Sequence, residues 1–466
     1  MPATQWARSV SGAWSGRRRA SGLASLSVTG GRPPAAGPRV ELDPLPPGRT
    51  RPGRRASLSE AFDAIPSGAR VYIAPTCGLP VTLVDGLTEA RDRWRALELV
   101  TDYLIGALSP FGAPGAPFTL TSLQPTPAVE PMRKAGALRS VSASYSQFAR
   151  LLSPQGPLPV DVALVQVSPP GPDGRFSLGV SGGVTTEIVR TAALVIAEVN
   201  PAMPYTFGAT ECDRSAFDLL VEVEHPLVEL AVPRPDETAR AIGAHAAAQV
   251  VDGATLQFGI GAIPESVLAQ LGDRSDLGLH GGMVGDTVVD LVEAGVLTGR
   301  RKSLDPGLLV VAGVIGTRRA FDWVHRNPQV CTVSSAYSHG VPVLARQARF
   351  TAINSALEVA LDGSVNAEVA GDRVLSGPGG QPDFALGADL APEGCGVVAL
   401  PSVAAGGTLS RIVRQLAAGT PTTVARYLVD RVVTEYGVAR LRGRSGEERA
   451  EALTAIAHPD HRAGLG

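Results

Sequence analysis

Several stretches of this chain carry residue types that can hold and polarise a carbonyl group. Residues 259–264 read Gly259-Ile260-Gly261-Ala262-Ile263-Pro264 and follow an apolar run. Small residues after a strand let a ligand approach the backbone, and a helix opening at Pro264 would turn its free N–H groups and positive dipole end toward it. Gly259, Gly261, Ile263 and Pro264 are therefore candidate ligand-binding residues, although two glycines after a strand also suit a plain tight turn. A second stretch reads Ser376-Gly377-Pro378-Gly379-Gly380-Gln381-Pro382-Asp383-Phe384. Gly377, Gly379, Gly380 and Gln381 can offer backbone N–H groups and one side-chain amide to a carbonyl oxygen. No Gly-Lys-Ser/Thr follows, which excludes a phosphate P-loop; a flexible surface turn is the other reading.

Candidate nucleophiles lie near these loops. Asp286 is one candidate carboxylate, and its alternative role is an N-cap of a helix starting at Thr287. Glu265 falls in a first helical turn, where dipole stabilisation explains it. Cys77 is a thiol with no neighbour in sequence to lower its pKa. His458, before a proline, reads as structural. Asn354, Glu358, Asn366 and Glu368 alternate with apolar residues and suit cross-strand pairing on a half-buried sheet.

These residues must be held by an α/β framework. Arg70–Ala74, Val162–Val167, Leu194–Val199, Ala254–Gly259, Gly307–Gly313 and Val397–Leu400 are short apolar runs, and helical patterns such as Pro80–Ala90 alternate with them. That alternation predicts largely parallel sheets. There is a weak internal echo: 71–87 and 256–271 both run strand, small residues, proline, then a leucine-striped helix. It predicts two similar α/β domains, 56–230 and 231–466, with a boundary near Pro226–Asp236. The last segment reads as a buried strand, a turn and a short charged helix.

A chain of 466 residues exceeds one ordinary core, and 44% apolar with 18% charged residues describes a globular protein. A net charge of −2 gives no reason to expect nucleic acid or an anionic membrane as partner. The apolar run 307–316 is too short to span a bilayer. Cys77, Cys212, Cys331 and Cys395 show no metal-type spacing and suit a reducing cytoplasm, so no metal is expected. Residues 1–55 hold ten arginines against Glu41 and Asp43 and have the composition of a disordered leader. A targeting segment or a translation start set too far upstream would explain them; no apolar h-region follows the arginines, which favours the second.

Taken in order, the motifs resemble the acetyl-CoA hydrolase/transferase family, which includes 4-hydroxybutyrate and succinyl-CoA:acetate CoA-transferases. The carrying motifs are 259–264, 377–384, Ala399-Leu400-Pro401-Ser402, Val432-Val433-Thr434-Glu435-Tyr436-Gly437-Val438-Ala439 and Ile456-Ala457-His458-Pro459-Asp460. Ile196-Ala197-Glu198-Val199-Asn200-Pro201 and Met203-Pro204 add a match in the first half, so the resemblance covers roughly residues 65–464. It implies two α/β domains of the CoA-transferase type, acyl-CoA bound in the cleft between them, a small acceptor, no permanently bound cofactor and a cytoplasmic homodimer in acetate metabolism.

The family's transferases use the glutamate of a His-Thr-Glu-Met sequence, which attacks the thioester and passes through an acyl-glutamyl anhydride and a glutamyl-CoA thioester. In this chain His280-Gly281-Gly282-Met283 stands in that place, with Asp286 following at the family spacing. The resemblance thus implies an acyl-CoA-processing enzyme, a hydrolase or transferase, in which Gly282 leaves the usual nucleophile missing. An acyltransferase to an acceptor that is not a carboxylate, and a non-catalytic CoA-binding homologue, are the alternatives.

Overall fold

The computed structural model describes residues 51–105, 109–113, 115–232 and 234–465. Two parallel sheets organise them. The first has eight strands in the order Arg54–Arg55, Leu219–Glu222, Leu194–Val199, Val162–Val167, Arg70–Ile73, Leu97–Tyr103, Phe118–Gln124 and Leu138–Ser140, all parallel. Every residue of Val162–Val167 is buried, as expected of a central strand covered on both faces. One face packs Leu83, Leu87, Trp94 and Phe111; the other packs Phe148, Leu152, Ile188 and Phe217.

The second sheet has nine strands: Gly437–Arg440, Arg431–Thr434, Cys395–Ala399, Phe350–Ser355, Thr255–Phe258, Gly278–Val284, Leu309–Val314, Val330–Thr332 and Phe207–Gly208. Only the hairpin Arg431–Thr434/Gly437–Arg440 is antiparallel. The strand Phe207–Gly208 comes from the first half of the chain yet pairs with Val330–Thr332 of the second. The expected boundary near Pro226–Asp236 lies in the stretch between Leu219–Glu222 and the helix Glu237–Ala247.

Three local expectations need correction. The first is the leader: its residues 1–50 lie outside the described residues, but 51–55 belong to the folded body. Arg51 is buried, pairs with Asp218 at 2.7 Å and donates to the Ala192 carbonyl at 2.7 Å, and Arg54–Arg55 pair with Leu219–Leu220. Counting charges by composition missed this, because one arginine can be buried when a carboxylate and carbonyls receive it. The second concerns Pro264, which is the third residue of the helix Ala262–Leu268, not the first; Gly261 is the N-cap, at φ +126°. The third concerns Asp286, which is the first residue of its helix, Asp286–Glu293, with Gly285 as the cap. Its carboxylate accepts from Thr317 N and Oγ1, both at 2.9 Å, and from Ala320 N at 3.0 Å. It therefore caps the neighbouring helix Arg318–Val324 rather than its own.

Several family motifs turn out to be joints. Glu198 is fully buried and accepts from Leu83 N at 2.6 Å and His225 Nε2 at 3.0 Å, so it closes the start of the helix Val81–Glu89, where Pro80 offers no side-chain cap. Asn200 donates to Gln166 Oε1 at 2.7 Å. Glu435 accepts from Ser402 N at 2.9 Å and Oγ at 2.6 Å, tying two motifs together. His458 caps the last short helix, Pro459–Arg462.

Candidate active site

The carboxyl ends of strands from both sheets face one another across a cavity of about 340 Å³. This is where ligands bind in open parallel sheets, because the loops there are free of the framework. The first half supplies Thr76 after Arg70–Ile73, Asp102 and Tyr103 at the end of Leu97–Tyr103, Gln124, Tyr145, and the turn Val180-Ser181-Gly182. The second supplies Gln257, Phe258 and Gly259, then Gly282 and Met283, Ala312 and Gly313, His339, Asn354 and Ser355, and the glycine loop 376–381.

The two walls are hydrogen-bonded to each other. Tyr145 N donates to the Gly379 carbonyl at 2.9 Å, and Asp383 accepts from Ser146 N at 3.0 Å and Oγ at 2.7 Å. Gly183 N donates to Val333 O at 2.9 Å, and Val314 N donates to Val180 O at 3.0 Å. Ser335 Oγ donates to the half-buried Glu187 at 2.5 Å. The glycine loop is thus held against the opposite half and is not a free surface turn. Gly379 sits at φ +54° with Gln124 Nε2 2.9 Å from where a Cβ would lie, so glycine is favoured there.

Of the sequence candidates, Gly259, Gly282, Gly377, Gly379, Gly380 and Gln381 line the cavity. Gly261, Ile263 and Pro264 do not: Ile263 packs against the second core and Pro264 is buried in its helix. Glu265 and Asp286 also lie outside it; Glu265 takes a hydrogen bond from Thr287 Oγ1. Cys77 is buried, and burial pushes its thiol up to about 11, so it is no nucleophile at neutral pH. Asn354 pairs across strands, as its pattern predicts, but the partner is the Gln257 amide, at 2.9 and 3.2 Å, and both line the cavity.

Gly282 lies in the extended strand Gly278–Val284, and a Cβ there would meet His339 Nε2 at 3.6 Å, an ordinary contact. His280 shares that face of the strand but is fully engaged. Its Nε2 lies 3.2 Å from the Tyr337 carbonyl and its Nδ1 3.2 Å from Gln347 Nε2. His280 is a pin for the strand; burial pushes its pKa down to about 3.

The sequence reading missed Asp102, Tyr145, Ser181 and His339. Asp102 is 2% exposed and accepts a hydrogen bond only from the next backbone N–H, that of Tyr103. Burial raises its pKa to about 7. A lone carboxylate at the carboxyl end of an apolar strand was the available signal. His339 is 4% exposed and stacks between Tyr145 and Phe384, with ring centroids 4.2 and 4.5 Å away. Nothing in its local pattern, Tyr337-Ser338-His339-Gly340, marks it out. Ser181 and Gln381 line the cavity, and their Oγ and Nε2 are buried without a hydrogen-bond partner. Among the described residues, no cluster of His, Cys, Asp or Glu could hold a metal, and no helix is long and apolar enough to cross a membrane.

Comparison with known proteins points the same way. Residues 52–215 match the acetyl-CoA hydrolase/transferase N-terminal domain and residues 316–466 its C-terminal domain. The 4-hydroxybutyrate coenzyme A transferase of Clostridium kluyveri is 39% identical over 88% of this chain and 95% of its own. RipA from Yersinia pestis superposes with a TM-score of 0.81 at 30% identity, over 88% of this chain and 96% of its own. The 4-hydroxybutyrate CoA-transferase from Porphyromonas gingivalis gives 0.75 at 33%, with the same coverage.

Proposed function

The chain belongs to the acetyl-CoA hydrolase/transferase family, and from that premise we propose that it binds an acyl-CoA between its two halves and processes the thioester without a glutamyl-CoA intermediate. The observation that carries the reading is Gly282. It lines the cavity beside the glycine loop, at the position where the resemblance implies a glutamate, and offers no side chain to acylate. Asp286 does not take over, because its carboxylate is committed to Thr317 and Ala320 and lies outside the cavity.

What remains suits carbonyl chemistry. Gln381 Nε2 and Ser181 Oγ are donors without protein partners, and the thioester oxygen would relieve them. Donors held in advance in a water-poor site stabilise a developing oxyanion. The attacking group then comes from water or from the acceptor itself. No permanently bound cofactor enters this chemistry. A cytoplasmic homodimer and the domain limits 56–230 and 231–466 belong to the same proposal, on the family resemblance.

Calorimetry with acetyl-CoA tests the binding half of the reading. A Cβ at Gly380 would lie 2.5 Å from His339 Cδ2 and 2.8 Å from Phe384 Cε2, so Gly380→Val must displace two rings that line the cavity. The wild type should bind and the folded variant should not. Equal binding by both would move the site elsewhere. Wild-type protein that binds no acyl-CoA at all would end the proposal.

A further inference from the structure

One imidazole nitrogen lining the cavity has no hydrogen-bond partner among the described residues. Ser338 Oγ carries a single hydrogen and lies 2.9 Å from the Ser334 carbonyl, which can only accept. His339 Nδ1 lies 2.9 Å from the same Oγ. With the hydroxyl hydrogen spent on the carbonyl, Nδ1 must be the donor to Ser338 Oγ. The proton therefore sits on Nδ1, and Nε2 keeps its lone pair. Among the described residues Nε2 accepts no hydrogen bond, and it lies beside the empty position at Gly282 (3.6 Å from its absent Cβ) and beside Gly380. Burial lowers the ring's pKa to about 3, which keeps the lone pair free at physiological pH but makes Nε2 a weak base, so it takes a proton only as the attack develops positive charge on the acceptor.

The charges around that nitrogen select what can occupy it. No Lys or Arg is among the described residues that line the cavity, and the one carboxylate there is Asp102. A carboxylate acceptor would be desolvated with no cation to meet it, opposite a lone pair that repels it. A group bearing N–H or O–H would instead donate to Nε2.

We infer that the space left by Gly282 is an acceptor subsite for a protic nucleophile without negative charge, an amine or hydroxyl with water as the smallest case, and that His339 is its general base. The inference rests on the acyl-CoA reading of the cavity. As the acceptor X–H attacks the thioester carbon, its proton passes to His339 Nε2 and the C–X bond forms. The tetrahedral oxyanion then collapses, the C–S bond breaks, and the CoA thiolate takes the proton back from His339. The balance is acyl-CoA plus H–X to acyl–X plus CoA thiol, with no further reactant.

The test measures free CoA thiol released from acetyl-CoA with no added acceptor, with a primary amine, with an alcohol and with propanoate, together with binding of acetyl-CoA by calorimetry. The expected result is acceptor-dependent or water-dependent release in the first three arms, and no propanoyl-CoA in the fourth. His339→Asn should lower that release by about 100-fold or more with the Kd for acetyl-CoA unchanged. Ser338→Ala, which keeps the imidazole but removes the acceptor for Nδ1–H, should give a smaller drop. Imidazole added to His339→Gly should restore turnover, which a purely structural histidine would not allow. CoA-thiol release at the wild-type rate by His339→Asn, or propanoyl-CoA formation by the wild type, would overturn the inference and leave the acyl-CoA reading standing. So would binding of acetyl-CoA with no release in any arm. Absence of binding would instead remove the reading beneath it.

Discussion

Putting a carboxylate back at position 282 is the sharpest perturbation the cavity offers. Neither Gly281 nor Gly282 has positive φ, so the backbone accepts a side chain without strain. The two positions differ in room. At Gly282 the nearest atoms to an added Cβ are His339 Nε2 at 3.6 Å and Cε1 at 3.7 Å, both ordinary contacts. At Gly281 the Cβ would meet Gln257 Cγ at 3.1 Å, in a pair of amides locked to Asn354. Rebuilding the whole family motif with Gly281→Thr as well should therefore cost about 1–3 kcal/mol of overpacking, while the Cβ of Gly282→Glu alone meets only ordinary contacts. Loss of a covalent nucleophile can lower a rate by up to about 10⁶-fold. A glutamate that reaches the attacking geometry one time in about a thousand would thus still raise exchange by about 10³-fold. The assay is transfer of label from isotopically marked acetate into acetyl-CoA, read by mass spectrometry. Gly282→Glu should exchange label well above the wild type, and the double variant should melt lower without exchanging faster. Robust exchange by the wild type would refute the reasoning, because the missing side chain would then not be what sets the mechanism.

Other consequences follow from the same geometry. Asp102 has its pKa raised by burial from 3.8 to about 7, so between those values the folded chain holds a proton that the unfolded chain has lost. Stability should fall as pH rises through that window and level off above it, by roughly 4 kcal/mol in all. Asp102→Asn should be more stable than the wild type at pH 8 and match it below about pH 4; parallel denaturation curves at every pH would contradict this. Arg51→Ala should cost about 3 kcal/mol, because it leaves Asp218 and the Ala192 carbonyl without their buried partner. An unchanged melting temperature in that variant would show the ion pair to be dispensable.

Much of the frame was legible because buried parallel strands write themselves as apolar runs. Val162–Val167 and Leu194–Val199 have the limits that their composition predicts, since all their neighbours are helices or strands. The pairing of Phe207–Gly208 with Val330–Thr332 was not legible, because a two-residue strand has no period. The glycines of the site could be read, since close approach and positive φ demand them. Gly379 shows both, at φ +54° against Gln124. Asp286 misled for the opposite reason: a carboxylate beside a helix start looks the same whether it caps that helix or, as here, the one after it. His339 was beyond reach of sequence reasoning, because its meaning comes from Gly282 and Gly380, which lie far away along the chain and only meet it in the folded cavity. The leader was misjudged at its end, where composition could not reveal that Asp218 is waiting to receive the buried Arg51.

The central claim is that the thioester sits between the halves, against Gly282 and the glycine loop, with no protein carboxylate poised to attack it. A crystal structure with a bound non-reactive acyl-CoA analogue tests this most directly. The account predicts the analogue's carbonyl oxygen within hydrogen-bonding reach of Gln381 Nε2 or Ser181 Oγ, and its carbonyl carbon facing the open space between Gly282 and His339 Nε2. An analogue lying outside this cavity, or a carboxylate of the protein in line with its carbonyl carbon, would contradict the account.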